Sequence, residues 1–206
     1  MCLHIILHMY YKEDLEMKAK SNIQTMVVAA MLCAIGILIP LISPVKIILE
    51  PASFTLASHV AIFVAMFISP ATAVFVALGT TMGFFLAGFP IPIVLRALSH
   101  IIFTIIGALY VKKHPHILSN YWRAGVFALV LAVIHAVSEV AIILPLYIGN
   151  QMTEAYYNKG LWYSIFGLVG LGTVVHSMVD FGIALGVWRV VEKYTFIKPS
   201  IKNKAV

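Results

Sequence analysis

The sequence predicts an all-α integral membrane protein, a bundle of six transmembrane helices with the N- and C-termini in the cytoplasm. Three observations predict it. Hydrophobic residues make up 62% of the 206 residues and charged ones only 11%, whereas a soluble domain carries about 25% charged side chains. Mean hydropathy is +0.99, and the apolar residues gather into runs near the ~20 that a helix needs to cross hydrocarbon. The basic residues, finally, fall on one side of the predicted spans.

The first span runs from about Ile23 to Ile42 and stops among Pro40 and Pro44. The second covers Phe54 to Ile68, ending at Ser69-Pro70, and the third Ala71 to Ala87, ending at Gly88-Phe89-Pro90. Both are short and only Ser-Pro joins them, so a re-entrant hairpin is the alternative arrangement there. The fourth span is Ile91 to Val111, the fifth Ala124 to Ile148 and the sixth Leu161 to about Val191. With the N-terminus inside, 11 of the 14 Lys+Arg lie on cytoplasmic segments, Lys46 and Lys159 lie outside, and Arg96 lies within a span. That asymmetry is the positive-inside bias. It accounts for the net charge of +6 through anionic lipid headgroups, so nucleic acid is not expected as a partner.

Residues 1–17 read as an extension outside the fold, since the apolar run Leu3 to Met9 is too short to span and Met17-Lys18-Ala19-Lys20 is a natural start. It is not a signal peptide, having no basic leader and no small-residue cleavage site. Residues 18–193 form the membrane domain and 194–206 a basic cytoplasmic tail. Cys2 and Cys33 make neither a disulfide framework nor a cysteine metal site.

Inside the spans the information lies in the ionisable residues, which are costly in lipid and so face the bundle interior. Arg96 falls about 9 Å, and His100 about 15 Å, below the outer end of the fourth span by helical rise, on one face of it. Glu139 falls about 13 Å below the outer end of the fifth. These three are expected to line one outward cavity: a cation for a carboxylate, with hydrogen-bonding groups for a ring. A buried Arg96–Glu139 pair that fixes helix packing is compatible with it. His135 and Glu139, and His176 and Asp180, stand four apart on the fifth and sixth spans. Either pair could suggest metal ligation, but a metal centre wants three or more convergent ligands and neither pair has a third in sequence. No metal and no cofactor is therefore expected, and His176 is placed at the floor of the pocket. Lys46, Asn150 and Trp162 on the outer loops are further substrate-binding candidates, Trp162 or Tyr163 as a stacking surface. His59 is as compatible with a structural role as with ligand binding.

Small residues at four-residue spacing let helices approach closely. They occur as Gly79-x3-Gly83-x3-Ala87, Gly182-x3-Gly186, Ala30-x3-Ala34 and Ala29-x3-Cys33. No phosphate-binding loop Gly-x4-Gly-Lys-Ser/Thr is present, so ATP-driven movement would need a partner's motor.

Six helices, the Ala30-x3-Ala34 face and the strings Pro51-Ala-Ser-Phe-Thr-Leu-Ala-Ser-His59 and Ala87-Gly-Phe-Pro-Ile-Pro-Ile-Val-Leu-Arg-Ala-Leu-Ser-His100 resemble the substrate-binding S components of energy-coupling factor (ECF) vitamin transporters. They resemble the niacin branch first and the pantothenate branch next, over about Lys18 to Lys193. The resemblance implies a non-enzymatic, membrane-embedded binder of a carboxylate vitamin in the bacterial plasma membrane. It also implies docking through Ala30 and Ala34 onto a transmembrane coupling subunit with two ATPase subunits, and uptake by toppling of the whole component in the bilayer. Two other readings stand beside it: an intramembrane metal-dependent hydrolase using His135, Glu139, His176 and Asp180, and a stand-alone secondary carrier.

Overall fold

A computed structural model describes residues 2–44, 46–49 and 52–194, with the side chains of 22–44 and 54–193. The tail expected over 194–206 lies almost wholly outside the described residues. In chain order the elements are helix α1 (Cys2–Ile42), strands β1 (Lys46–Leu49) and β2 (Ala52–Thr55), and helices α2 (Val60–Ile68), α3 (Pro70–Leu86), α4 (Ile91–Lys113), α5 (Tyr121–Ile148) and α6 (Glu154–Asn158). A π-helical stretch over Trp162–Leu171 then leads into α7 (Gly172–Tyr194). The helical backbone of α1 runs through Met17 without interruption.

Among the described residues four helical segments are long and apolar enough to cross a membrane: Asn22–Ile42, Ile91–Lys113, Tyr121–Ile148 and Trp162–Lys193. Their outward faces are apolar, as lipid demands: Ile102 and Ile106 on α4, and Val130, Val133 and Val137 on α5, are all exposed. Pro70–Leu86 is apolar but shorter.

The second span departs from its sequence reading. Phe54 and Thr55 end a strand that pairs antiparallel with β1, Lys46 opposite Thr55 and Leu49 opposite Ala52. Residues 56–59 turn, and only Val60–Ile68 is helical. Nine residues rise only ~14 Å, about half the hydrocarbon thickness. A helix apolar on every side must lie in lipid or in a protein core, and here every residue from Ala61 to Ile68 is buried against α1, α3, α4 and α7. Phe63 and Phe67 meet Phe181 edge-on at 5.3 and 5.5 Å, and Phe67 meets Trp188 at 5.8 Å.

The breaks between elements follow from local chemistry. Ser69 caps α3 by accepting the Thr72 N–H at 3.1 Å, with Pro70 in the first turn, where its missing N–H costs nothing. Asn120 caps α5 by accepting the Arg123 N–H at 3.1 Å. Gly88 takes a positive φ of 77° between α3 and Pro90, a conformation that glycine adopts without strain.

Small-residue stripes divide into packed and open ones. Gly79 and Gly83 on α3 face α1 closely enough that a Cβ at Gly79 would meet the Cys33 sulfur and one at Gly83 the Ile37 side chain. Ala29 is buried and Cys33 half-buried on that side of α1, while Ala30 and Ala34 are exposed on the other. Gly182 and Gly186 on α7 are also exposed, with nothing within 4 Å of a Cβ at either. Gly83→Val is expected to lower stability by about 1–3 kcal/mol through overpacking, whereas Gly186→Ala leaves it unchanged or slightly raised; thermal unfolding of the two variants in one detergent checks both.

Candidate functional site

Two buried carboxylates, one on α5 and one on α7, organise the polar interior. Glu139 is 2% exposed. Its Oε2 accepts from Arg96 Nη2 at 2.9 Å and from Thr173 Oγ1 at 2.6 Å, and its Oε1 stands 3.4 Å from His100 Nε2. A buried charge is tolerable when a partner of opposite sign and further hydrogen bonds match it, and Glu139 has both. His135 Nε2, one helical turn away, lies 3.4 Å from the same oxygen.

Asp180 is fully buried. Its Oδ1 accepts the Ala57 N–H at 2.8 Å, and its Oδ2 accepts the His59 N–H at 2.9 Å and pairs with His59 Nδ1 at 3.1 Å. Ala57 has a φ of 67°, strained for a residue with a Cβ, so the carboxylate holds the turn in a shape it would not choose alone. His176 closes the group, its Nε2 3.0 Å from Ser58 Oγ and 3.3 Å from Asp180.

The π-helical stretch before α7 sets the register of these groups. Its hydrogen bonds reach i→i+5, widening the helix, and at its end the Phe54 ring sits where Gly172 has no side chain. Thr173, His176 and Asp180 then face inward from successive turns.

Between these layers lies a cavity of about 160 Å³, walled by Phe54, Ser58, His59, Phe84, Phe89, Arg96, His100, Glu139, Tyr156 and His176 among others. That volume equals the liquid share of roughly five waters, enough for one small flat molecule. Arg96 Nε and Thr80 Oγ1, both on wall residues, are buried without a hydrogen-bond partner. A guanidinium offers donors in a planar fork suited to a carboxylate, and Glu139 engages only part of this one. Burial keeps the Tyr156 phenol above its ordinary pKa, although Arg96 beside it acts in the opposite direction, so it meets the cavity as a neutral hydroxyl.

Of the residues expected at the site, Arg96, His100, Glu139 and His176 are brought together. Trp162 is 76% exposed and lies against Phe166 at 4.9 Å instead of reaching the cavity. Asn150 is exposed in the turn after α5, and the Lys46 side chain lies outside the described ones. The aromatic walls are Phe54, Phe84, Phe89 and Tyr156, which sequence reasoning did not select. Tyr156 carries a signal only in retrospect: it is the buried residue of a short polar helix.

The chain is 40% identical over 187 residues to the niacin transporter NiaX of Lactococcus lactis subsp. cremoris (strain MG1363), covering 89% of this chain and 82% of that protein. It belongs to the NiaX family. The niacin branch suggested by the Pro51–His59 and Ala87–His100 strings is thus the right one, and the chain is a multi-pass cell-membrane protein of a vitamin transporter family. No protein-family model and no solved structure matches it.

Removing the Asp180 carboxylate leaves the Ala57 and His59 N–H groups without an acceptor and takes one partner from each of two imidazoles, His59 and His176. Asp180→Ala is expected to cost on the order of 3 kcal/mol and Asp180→Asn less; unfolding temperatures in matched detergent check the order of the two.

Proposed function

We propose that this chain binds niacin in the Arg96 cavity and serves as the substrate-binding component of an ECF-type importer, with six membrane-crossing elements and both termini in the cytoplasm. Niacin is a pyridine carrying one carboxylate. The observation that carries the reading is the buried Arg96 guanidinium on the wall of a small aromatic-lined cavity, held at Nη2 by Glu139 and unpaired at Nε. Glu139 neutralises the guanidinium while the site is empty, and the carboxylate of the vitamin takes the remaining donors. Phe54, Phe84 and Phe89 offer apolar faces to the ring. Pantothenate, longer and hydroxylated, is the second candidate, and the cavity volume supports the shorter acid.

The cavity lies at the end of the bundle formed by the β-hairpin, the start of α4 and α6, which the distribution of Lys and Arg assigns to the exterior. The exposed Ala30-x3-Ala34 stripe of α1 is the docking face for a coupling subunit, since small side chains permit close helix approach. ATP hydrolysis belongs to that subunit's two ATPases, and toppling of the whole component carries the cavity inward.

Arg96→Ala is expected to weaken niacin binding at least 100-fold while the protein stays folded; calorimetry with the purified full chain checks it, and an unchanged dissociation constant overturns the site. Ala30→Trp is expected to abolish uptake in cells carrying the coupling module while binding is retained, and normal uptake removes the docking face.

A further inference from the structure

Four histidines from separate parts of the chain meet beside the cavity: His59, His100 and His176 line it, and His135 is fully buried next to them. His59 ends the turn before α2, His100 is on α4 and His135 on α5. Their ring centroids form a nearly equilateral triangle, 4.7 Å for His59–His100, 4.9 Å for His59–His135 and 4.7 Å for His100–His135. One ring nitrogen from each lies within 4.8 Å of the other two, and all three residues are buried.

Neutral imidazoles packed edge to face need no ligand. The hydrogen bonding argues further. His59 Nδ1 is held by the Asp180 carboxylate at 3.1 Å and His135 Nδ1 by Ser177 Oγ at 3.0 Å, while His100 Nε2 faces Glu139 at 3.4 Å. Each ring is thus oriented through one nitrogen, as the outer partners of metal-bound histidines orient theirs. The opposite nitrogen of His100, Nδ1, is buried without a hydrogen-bond partner, and that of His135, Nε2, has only a long contact of 3.4 Å to Glu139 Oε1. A buried nitrogen left unpaired is costly, and the His100 Nδ1 belongs to this triangle.

Charge points the same way. The guanidinium of Arg96 and the carboxylates of Glu139 and Asp180 sum to one negative charge, the wrong sign for a carboxylate ligand. A divalent cation would reverse it. We propose that His59, His100 and His135 bind one divalent first-row transition-metal ion, zinc being the type that three imidazoles suit, with its fourth position open to the cavity. This rests on the niacin reading and deepens it, because a pyridine nitrogen is itself an imidazole-like ligand: the vitamin is held by Arg96 through its carboxylate and by the metal through its ring. Metal–nitrogen bonds of about 2.0–2.1 Å require the triangle to tighten on binding. His176, already paired with Ser58 and Asp180, packs edge-on against His59 at 5.0 Å. The absence of metal expected from the sequence followed from finding no third ligand beside either four-residue pair; His135 belongs to one of those pairs, and the other two ligands arrive from other elements.

The test uses the full chain in detergent, stripped with a chelator and titrated with Co2+ alone. One equivalent is expected to bind and give visible d–d absorption of four-coordinate intensity. His135→Ala and His59→Ala, verified as folded by circular dichroism, are expected to lose at least 100-fold in Co2+ affinity. Niacin affinity is expected to fall at least tenfold on stripping and to recover with Zn2+. Absence of saturable Co2+ uptake, or niacin binding to the stripped protein with unaltered affinity, overturns the metal site and leaves the niacin cavity standing. Stoichiometric Co2+ uptake with no niacin binding in either preparation overturns the niacin reading instead.

Discussion

The polar interior depends on the Asp180 carboxylate accepting the backbone N–H groups of Ala57 and His59. The turn runs from exposed Leu56 to buried His59, and a side chain from α7 satisfies its two inward N–H groups. Because Asp180 comes from α7 and the turn precedes α2, one acid fixes the hairpin, the central helix and the last helix relative to each other. It also orients His59 through Nδ1. The cavity floor is therefore positioned by a group that does not line it.

Glu139 plays a different part in the same economy. It stands at the cavity wall and shares Arg96, Thr173 and His100, leaving the guanidinium only partly engaged. A fully matched Arg96 would be inert toward an acid, and an unmatched one would be too costly to bury. The two carboxylates thus separate support from recognition, one holding backbone and the other holding a cation available for exchange.

Much of this was legible in the sequence, for identifiable reasons. Arg96, His100 and Glu139 could be found because ionisable residues are rare in apolar spans and helical rise converts their positions into depth. His59, His135 and Tyr156 could not be assigned to one site, since nothing local records that the turn before α2 meets α4 and α5. The second span was misread because an apolar run of spanning length is the same whether it folds as one helix or as strand, turn and short helix. For Trp162 the sequence marks depth and not direction; in the fold it is exposed and lies against Phe166. The glycines of α3 and α7 share one spacing, yet the first pair packs on α1 and the second is open, a difference that lies in the neighbours alone.

The short helix α2 has one more effect. From Ile62 at the cavity wall to Ile68, its buried length presents only apolar side chains, the Met66 thioether among them, and the Phe67–Phe181–Trp188 aromatics close around it. No chain of polar groups runs along this helix by which water or protons could thread. The helix thus separates the polar cavity at its one end from the aromatic packing at the other, so what the cavity holds meets an apolar floor along α2.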